Sequence, residues 1–147
     1  MPAPEQGLAT IIIYHKNAEE AARLGDILRG GSYSVWTADN AETALKRAEE
    51  HSAELILADA IPGDDEAFSF CDKPPDSDDS YSRRPPIIIT LPSGRTDHLQ
   101  RAFEAGADEV IIKPVTEAEL LKRVGMIFRL ERLESELRLL SSTCEEL

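Results

Sequence analysis

Short apolar runs alternate with amphipathic stretches along most of this chain. The apolar runs, which predict β-strands, occupy residues 10–14, 33–37, 54–58, 87–91 and 109–112. Between them, apolar side chains recur at intervals of three and four residues, as at Ala41, Ala44 and Ala48, which predicts helices that bury one face. This alternation of strand and helix predicts an α/β fold in which helices cover both sides of a parallel sheet.

Capping signals place the ends of two helices. Asn17 predicts the N-cap of a helix over residues 18–29, and Gly30 predicts its end. Thr116 and Glu119 form the Thr-x-x-Glu pattern of a capping box, so a long final helix is expected to begin there.

The stretch from residue 63 to residue 86 departs from the alternation. It is rich in Asp, Ser and Pro, and Pro74-Pro75 would end any helix that starts near Phe68. We therefore expect the third helix to be shortened or missing. The stretch is either a tolerated surface insertion or a remodelled binding face, and Cys71 within it is expected to be a small core residue.

Charged side chains follow three of the predicted strands. His15 and Lys16 come after the first strand, Asp59 after the third and Lys113 after the fifth. Because the carboxyl ends of parallel strands meet at one edge of the sheet, near its topological switch point, we expect these side chains to converge.

Two longer motifs resemble one family. Residues 55–63, Leu-Ile-Leu-Ala-Asp-Ala-Ile-Pro-Gly, and residues 105–114, Ala-Gly-Ala-Asp-Glu-Val-Ile-Ile-Lys-Pro, resemble the phosphoacceptor strand and the Lys-Pro strand of receiver domains in two-component response regulators. Residues 86–89 resemble the family's fourth strand. The resemblance covers about residues 9–130 and implies a flavodoxin-like, doubly wound sheet of five parallel strands in the order 2-1-3-4-5.

The resemblance also implies roles for individual residues. The phosphoacceptor position falls on Asp59 and the invariant lysine position on Lys113. The two acidic positions that help to hold Mg²⁺ in the family fall on His15 and Lys16, and neither side chain suits that metal. We therefore expect no metal and no cofactor. Asp59 is expected to be a structural carboxylate paired with Lys16 and Lys113, and His15 to be a solvated residue at the edge of a loop.

Two further positions of the family's relay depart from its pattern. The Ser or Thr that follows the fourth strand falls on Leu91, whereas Thr90, one residue earlier, is expected to point to the opposite side of the strand. The aromatic position on the fifth strand falls on Val110. The resemblance thus implies a degenerate receiver, or pseudo-receiver, that keeps the fold and has lost the phosphorelay.

The final helix carries a heptad repeat. Its apolar positions are spaced alternately by four and three residues, and they are Met126, Leu130, Leu133, Leu137, Leu140, Cys144 and Leu147. This spacing predicts a parallel two-stranded coiled coil and hence a homodimer, and the alternative is a single helix that packs back or frays.

We divide the chain into a disordered tail (1–8), a receiver-like domain (9–130) and a coiled-coil extension (131–147). The extension is expected to lead to an output domain, for which the resemblance implies a diguanylate cyclase or a histidine kinase.

Charge and cysteine content narrow the partners and the location. Twenty-eight acidic residues against sixteen basic ones give a net charge of −12, which repels phosphate backbones and anionic lipids, so we expect no nucleic acid or membrane partner. The two cysteines lack the spacing of a metal site or a disulfide framework, and the N-terminus carries no export signal. A cytoplasmic location is therefore expected.

Three functions compete for this sequence. We favour a non-enzymatic signalling module that dimerises and binds a protein partner. The alternative is a functional phosphoacceptor that a histidine kinase phosphorylates on Asp59. A flavin or nucleotide site is disfavoured because His15-Lys16-Asn17 stands where a glycine-rich phosphate loop would follow the first strand.

Overall fold

A computed structural model describes residues 9–61, 66–71, 85–94 and 96–146. Its elements, in chain order, are β1 (Thr10–Tyr14), α1 (Ala18–Gly30), β2 (Ser34–Ala38), α2 (Ala41–Glu50), β3 (Leu55–Asp59), α3 (Glu66–Ser69), β4 (Ile87–Leu91), α4 (Thr96–Ala105), β5 (Glu109–Ile112) and α5 (Glu117–Glu146). The strands form one parallel sheet in the order β2-β1-β3-β4-β5. The predicted flavodoxin-like topology is confirmed.

Each face of the sheet builds its own apolar core, because successive side chains of a strand point to opposite sides. Ile12 of β1 belongs to the core under α2, α3 and α4, whereas Ile11 and Ile13 belong to the core under α1 and α5. All three side chains are fully buried, and burying an isoleucine contributes about 1.5–3 kcal/mol to folding. The continuous apolar runs of the sequence are thus explained by burial on both faces.

The capping signals act as the sequence predicts. The Asn17 side chain accepts hydrogen bonds from the backbone N–H groups of Glu19 and Glu20 at the start of α1. The Thr116 hydroxyl accepts the Glu119 N–H at the start of α5. At the other end of α1, a Cβ on Gly31 would lie 2.8 Å from Leu121 Cδ2, so glycine lets the two helices approach closely.

Within the described residues, the third helix comprises Glu66–Ser69. Phe68, Phe70 and Cys71 anchor this segment, because they are buried in the core beside α2 and α4. The rest of the 63–86 stretch lies largely outside the described residues, as do residues 1–8. β3 runs one residue further than predicted and ends on Asp59 itself.

α5 has two unlike halves. In its first half, Leu120, Val124 and Ile127 are buried in the core that α5 shares with α1. Every side chain from residue 131 to residue 140 is exposed, so the helix continues well past the sheet. The long C-terminal helix is therefore confirmed, although the Cys144 side chain and Leu147 lie outside what the structure describes. Within the described residues, no helix is both long enough and apolar enough to span a bilayer.

Candidate functional site

The carboxyl ends of four strands bring polar side chains together around Asp59. Asp59 ends β3 and is only 3% exposed. Lys113 follows β5, and its Nζ lies 2.6 Å from Asp59 Oδ1. The same oxygen accepts a 2.7 Å hydrogen bond from the Thr90 hydroxyl. The carboxylate is therefore held by a cation and a hydroxyl, both within charge-assisted hydrogen-bond distance.

The expectation that Thr90 points away from Asp59 is wrong. In the parallel register of β3 and β4, Asp59 stands opposite Thr90, and side chains at paired positions leave the sheet on the same side. Leu91 therefore turns to the other face, where it is buried in the apolar core. A shift of one residue in the assumed register reverses every side chain of a strand, and that shift is the source of the error. A hydroxyl does reach Asp59.

The His15 side chain lies between the end of β1 and Asp59. It is buried, so the expectation that it is solvated is wrong. Its side chain is only 6% exposed. The Asn17 backbone N–H donates to His15 Nδ1 over 3.0 Å, which favours the tautomer with its proton on Nε2. Nε2 lies 3.5 Å from Asp59 Oδ2, a contact longer than an ordinary hydrogen bond.

Burial lowers the pKa of His15 below the ordinary value of 6.5. Desolvation is the largest cause, the Lys113 charge lowers the pKa further, and the carboxylates of Asp59 and Glu20 oppose both effects. A protonated imidazole would also set an Nδ1–H against the Asn17 N–H. The imidazole beside Asp59 is therefore neutral at pH 7, and the pair is a polar contact rather than an ion pair.

Lys16 does not approach Asp59, and the expected pairing is wrong. Its Nζ lies 3.1 Å from Glu66 Oε2. The same carboxylate accepts hydrogen bonds from the Tyr14 hydroxyl and the Ala41 N–H, and these donors, led by the Ala41 N–H, lower the pKa of Glu66. Because consecutive residues leave the end of a strand on opposite sides, only one of His15 and Lys16 can face Asp59.

The donors around Asp59 are a poor match for Mg²⁺. That ion takes oxygen ligands in near-octahedral geometry, usually with more than one carboxylate or phosphate. Among the described residues, the groups in contact with the Asp59 carboxylate are a neutral imidazole, a hydroxyl and the positively charged Lys113. Among the described residues, no cluster of three His, Cys, Asp or Glu side chains could hold a metal ion.

Val110, at the family's aromatic position, is buried in the apolar core on the face opposite Asp59. It has no ring that could exchange between an inward and an outward rotamer.

A hydrogen-bonded contact that the sequence analysis missed ties α1 to the loop after β5. Arg23 forms a bidentate pair with Glu20 at 2.7 Å, and its guanidinium also donates to the Val115 carbonyl over 3.0 Å. The hydrogen bond to Arg23 is the main reason that the pKa of Glu20 is lowered. The three-residue spacing of Glu20 and Arg23 is a visible sequence signal, but the contact with Val115 joins distant parts of the chain.

Comparison with known proteins identifies a family and related sequences. The family model for the response regulator receiver domain matches residues 11–125. Response regulator PleD of Caulobacter vibrioides is 33% identical over 106 residues, which are 72% of this chain and 23% of PleD. Histidine kinase P4 of Formosa agariphila is 28% identical over 135 residues, which are 92% of this chain and 9% of that protein.

A solved structure shares the fold. The crystal structure of a response regulator receiver domain protein from Clostridium thermocellum superposes with a TM-score of 0.69 at 21% identity, covering 86% of this chain and 98% of that one. The chain spans only a small part of the two curated relatives. Because the family model covers well over half of its residues, this chain belongs to the response regulator receiver domain family.

Proposed function

We propose that this chain is a pseudo-receiver, a non-enzymatic signalling module that dimerises and acts without phosphorylation of Asp59. The observation that carries the proposal is the neutral imidazole of His15 3.5 Å from Asp59 Oδ2, on the side where the family's metal-binding acids would stand. A cytoplasmic location, expected from the cysteine content, belongs to the same proposal.

The replacement of the family's two metal-binding acids by His15 and Lys16 is the main obstacle to phosphorylation. A divalent cation stabilises the charge that develops during transfer of a phosphoryl group by several kcal/mol. A loss of about 4 kcal/mol slows a reaction about a thousandfold. His15 provides a single neutral N–H in place of a metal-binding carboxylate, and Lys16 pairs with Glu66.

The alternative, a functional phosphoacceptor, has one specific observation in its favour. Thr90 and Lys113 both reach Asp59, so two groups that would contact a phosphoryl group are in place. A histidine kinase that supplied the phosphoryl group would still have to overcome the missing metal ligands.

Acetyl phosphate separates the two functions. Wild type, Asp59→Asn and the double variant His15→Asp/Lys16→Asp are incubated with acetyl phosphate and Mg²⁺ and weighed intact. We expect no added phosphoryl group on wild type and a gain on the double variant, because the latter places a carboxylate at residue 15 beside Asp59 and exchanges the positive charge of residue 16 for a negative one. A stoichiometric gain on wild type that Asp59→Asn abolishes would establish the phosphoacceptor instead.

The dimer proposal rests on the exposed stripe of α5. We call this stripe the α5 seam, and its described members are Met126, Leu130, Leu133, Leu137 and Leu140, which are 47–66% exposed. At 100° per residue, the seam lies roughly 120° around the helix from the buried stripe of Leu120, Val124 and Ile127. One helix can therefore pack on its own domain and on a partner at once.

A second copy of the chain is the partner that the α5 seam fits best. Its heptad spacing is that of a self-complementary coiled coil, and so many large exposed apolar side chains in one line are unusual for a monomer. In a parallel pair, Arg129 at a g position faces Glu134 at the next e position of the partner helix. In such a dimer, the paired α5 helices would connect the two receiver domains to an output domain, such as a diguanylate cyclase or a histidine kinase. The relative position of the receiver domains would then determine that of the output domains.

A further inference from the structure

A groove on the far side of the molecule from β5 crosses the open edge of the sheet. It encloses about 480 Å³ between α1 and α2, and we call it the β2-edge groove. Its floor is formed by small side chains such as Ala18, Ala22 and Thr37, and its cations are Lys16, Arg29 and Arg47. The proposed phosphorylation-independent site around Asp59 does not explain it.

The end of β2 lines this groove through Thr37 and Ala38, and the outer edge of the strand continues from there to Val35. β2 is the terminal strand of the sheet, and among the described residues no strand pairs with its outer side. Ser34 and Ala38 bond inward, since the Ser34 N–H donates to Ala9 and the Ala38 carbonyl accepts from His15. Backbone groups alternate in direction along a strand, so Val35 and Thr37 face outward. An exposed edge of this kind can accept a further strand.

Arg29 covers part of that edge. Its Nη2 donates to the outward Val35 carbonyl over 3.3 Å, and its other contact, with Asp26, is a loose 3.5 Å pair on the surface. An incoming backbone N–H would replace Arg29 at the Val35 carbonyl. The guanidinium would then be free to bind an acidic side chain of the incoming strand.

The charge of the groove is opposite to that of the molecule. Three cations line it against one acid, Asp39, whereas the whole chain carries −12. Arg47 makes no ion pair with any described residue, and Lys16 shares Glu66 with two other donors. A locally positive groove on an acidic protein attracts an acidic ligand.

The dimensions indicate an extended peptide. From Ala18 to Arg29 the groove follows α1 for roughly 17 Å, at 1.5 Å per residue. Five residues of an extended strand cover about the same distance, and β2 itself has five residues. A segment of about five residues would therefore match the length of the open strand.

We propose that the β2-edge groove docks an extended acidic segment of a partner protein. The segment pairs with the outward backbone groups of Val35 and Thr37 and places its carboxylates on Lys16, Arg29 and Arg47. This surface is separate from the α5 seam, so a dimer would carry two such grooves.

Fluorescence anisotropy with a labelled ten-residue peptide of alternating Glu and Val tests this proposal. We expect saturable binding by wild type, loss of binding when Gln replaces Glu in the peptide, and about tenfold weaker binding by Arg47→Glu. Lys46→Glu is the matched control, because it makes the same change in net charge outside the groove and should change the affinity by less than about threefold.

A backbone test completes the design. Thr37→Pro removes an outward N–H without touching the bonds to β1, so it should abolish peptide binding while the urea midpoint shows that the domain still folds. Equal weakening by Lys46→Glu and Arg47→Glu, or equal binding of the Gln peptide, would overturn the proposal. Displacement of the peptide by inorganic phosphate, but not by chloride at the same ionic strength, would also overturn it by assigning the groove to a small anion.

Discussion

The Asp59 site and the exposed half of α5 lie at opposite ends of the sheet. They differ in whether their side chains find partners within the domain. At the site, a nearly buried carboxylate finds its cation and its hydroxyl inside the same domain. Along α5, large apolar side chains find no cover among the described residues of the domain. Asp59 thus finds its partners within the domain, whereas the α5 seam leaves its apolar side chains exposed.

The two regions also differ in what disrupts them. An internally paired charge is costly to break, because the remaining partner is left without its counter-charge in a poorly solvated place. An uncovered apolar stripe costs little to change in the monomer, but it decides whether a partner can bind. Substitutions should therefore alter stability at the first region and assembly at the second.

The largest expected effect is on assembly. Leu133→Arg/Leu137→Arg sets charges inside the α5 seam and should weaken the dimer by at least about a thousandfold. Leu139→Arg is the control, since Leu139 is as exposed as Leu137 but lies outside the seam. Sedimentation equilibrium across micromolar concentrations measures the dissociation constant of the dimer for wild type and for both variants. A monomeric wild type, or equal dissociation by Leu139→Arg, would contradict the dimer.

The next effect concerns stability. Asp59→Ala should lower the free energy of unfolding by about 2–3 kcal/mol, less than the 3–5 kcal/mol of a fully buried pair, because Lys113 is one-third exposed. Asp59→Asn, which keeps an acceptor for Thr90, should cost less. Urea unfolding measures both variants. An unchanged midpoint for Asp59→Ala would mean that the carboxylate is not held as described.

A pH dependence follows from the lowered pKa of His15. The unfolded imidazole binds a proton more readily than the folded one, so stability is full above the unfolded value of 6.5 and falls as the pH drops below it. Urea unfolding at pH 7.5 and pH 5.5 measures the free energy of unfolding of wild type and of His15→Gln. We expect this free energy to decrease less between the two pH values in His15→Gln than in wild type. An equal decrease in both proteins would show that His15 does not titrate as proposed.

The smallest effect is expected at Lys16. Lys16 and Glu66 are 41% and 31% exposed, and solvent-accessible pairs of this kind contribute about 0–1 kcal/mol. A double-mutant cycle of Lys16→Ala with Glu66→Gln should give a coupling free energy in that range. A second cycle, of Lys16→Ala with Asp59→Ala, should give a coupling free energy of zero. A substantial coupling between Lys16 and Asp59 would restore the pairing that the structure contradicts.

The sequence alone determined the framework of this protein. Apolar periodicity, the caps at Asn17 and Thr116 and the Gly and Pro residues between elements predicted the order of elements and the long last helix. These are local signals, because a helix or strand is selected by residues within a few positions of one another. The approach of Lys113 to Asp59 also followed, because parallel strands must end at one edge.

Only the tertiary structure decided how the site is arranged. Thr90 faces Asp59 because of the register between β3 and β4, which no local pattern records. Lys16 turns away because Glu66, far along the chain, stands beside it with Tyr14 and Ala41. His15 is buried and lies beside Asp59, which ends the neighbouring strand β3. Side-chain direction at a strand end depends on pairing and packing across the sheet, and these exist only once the chain has folded.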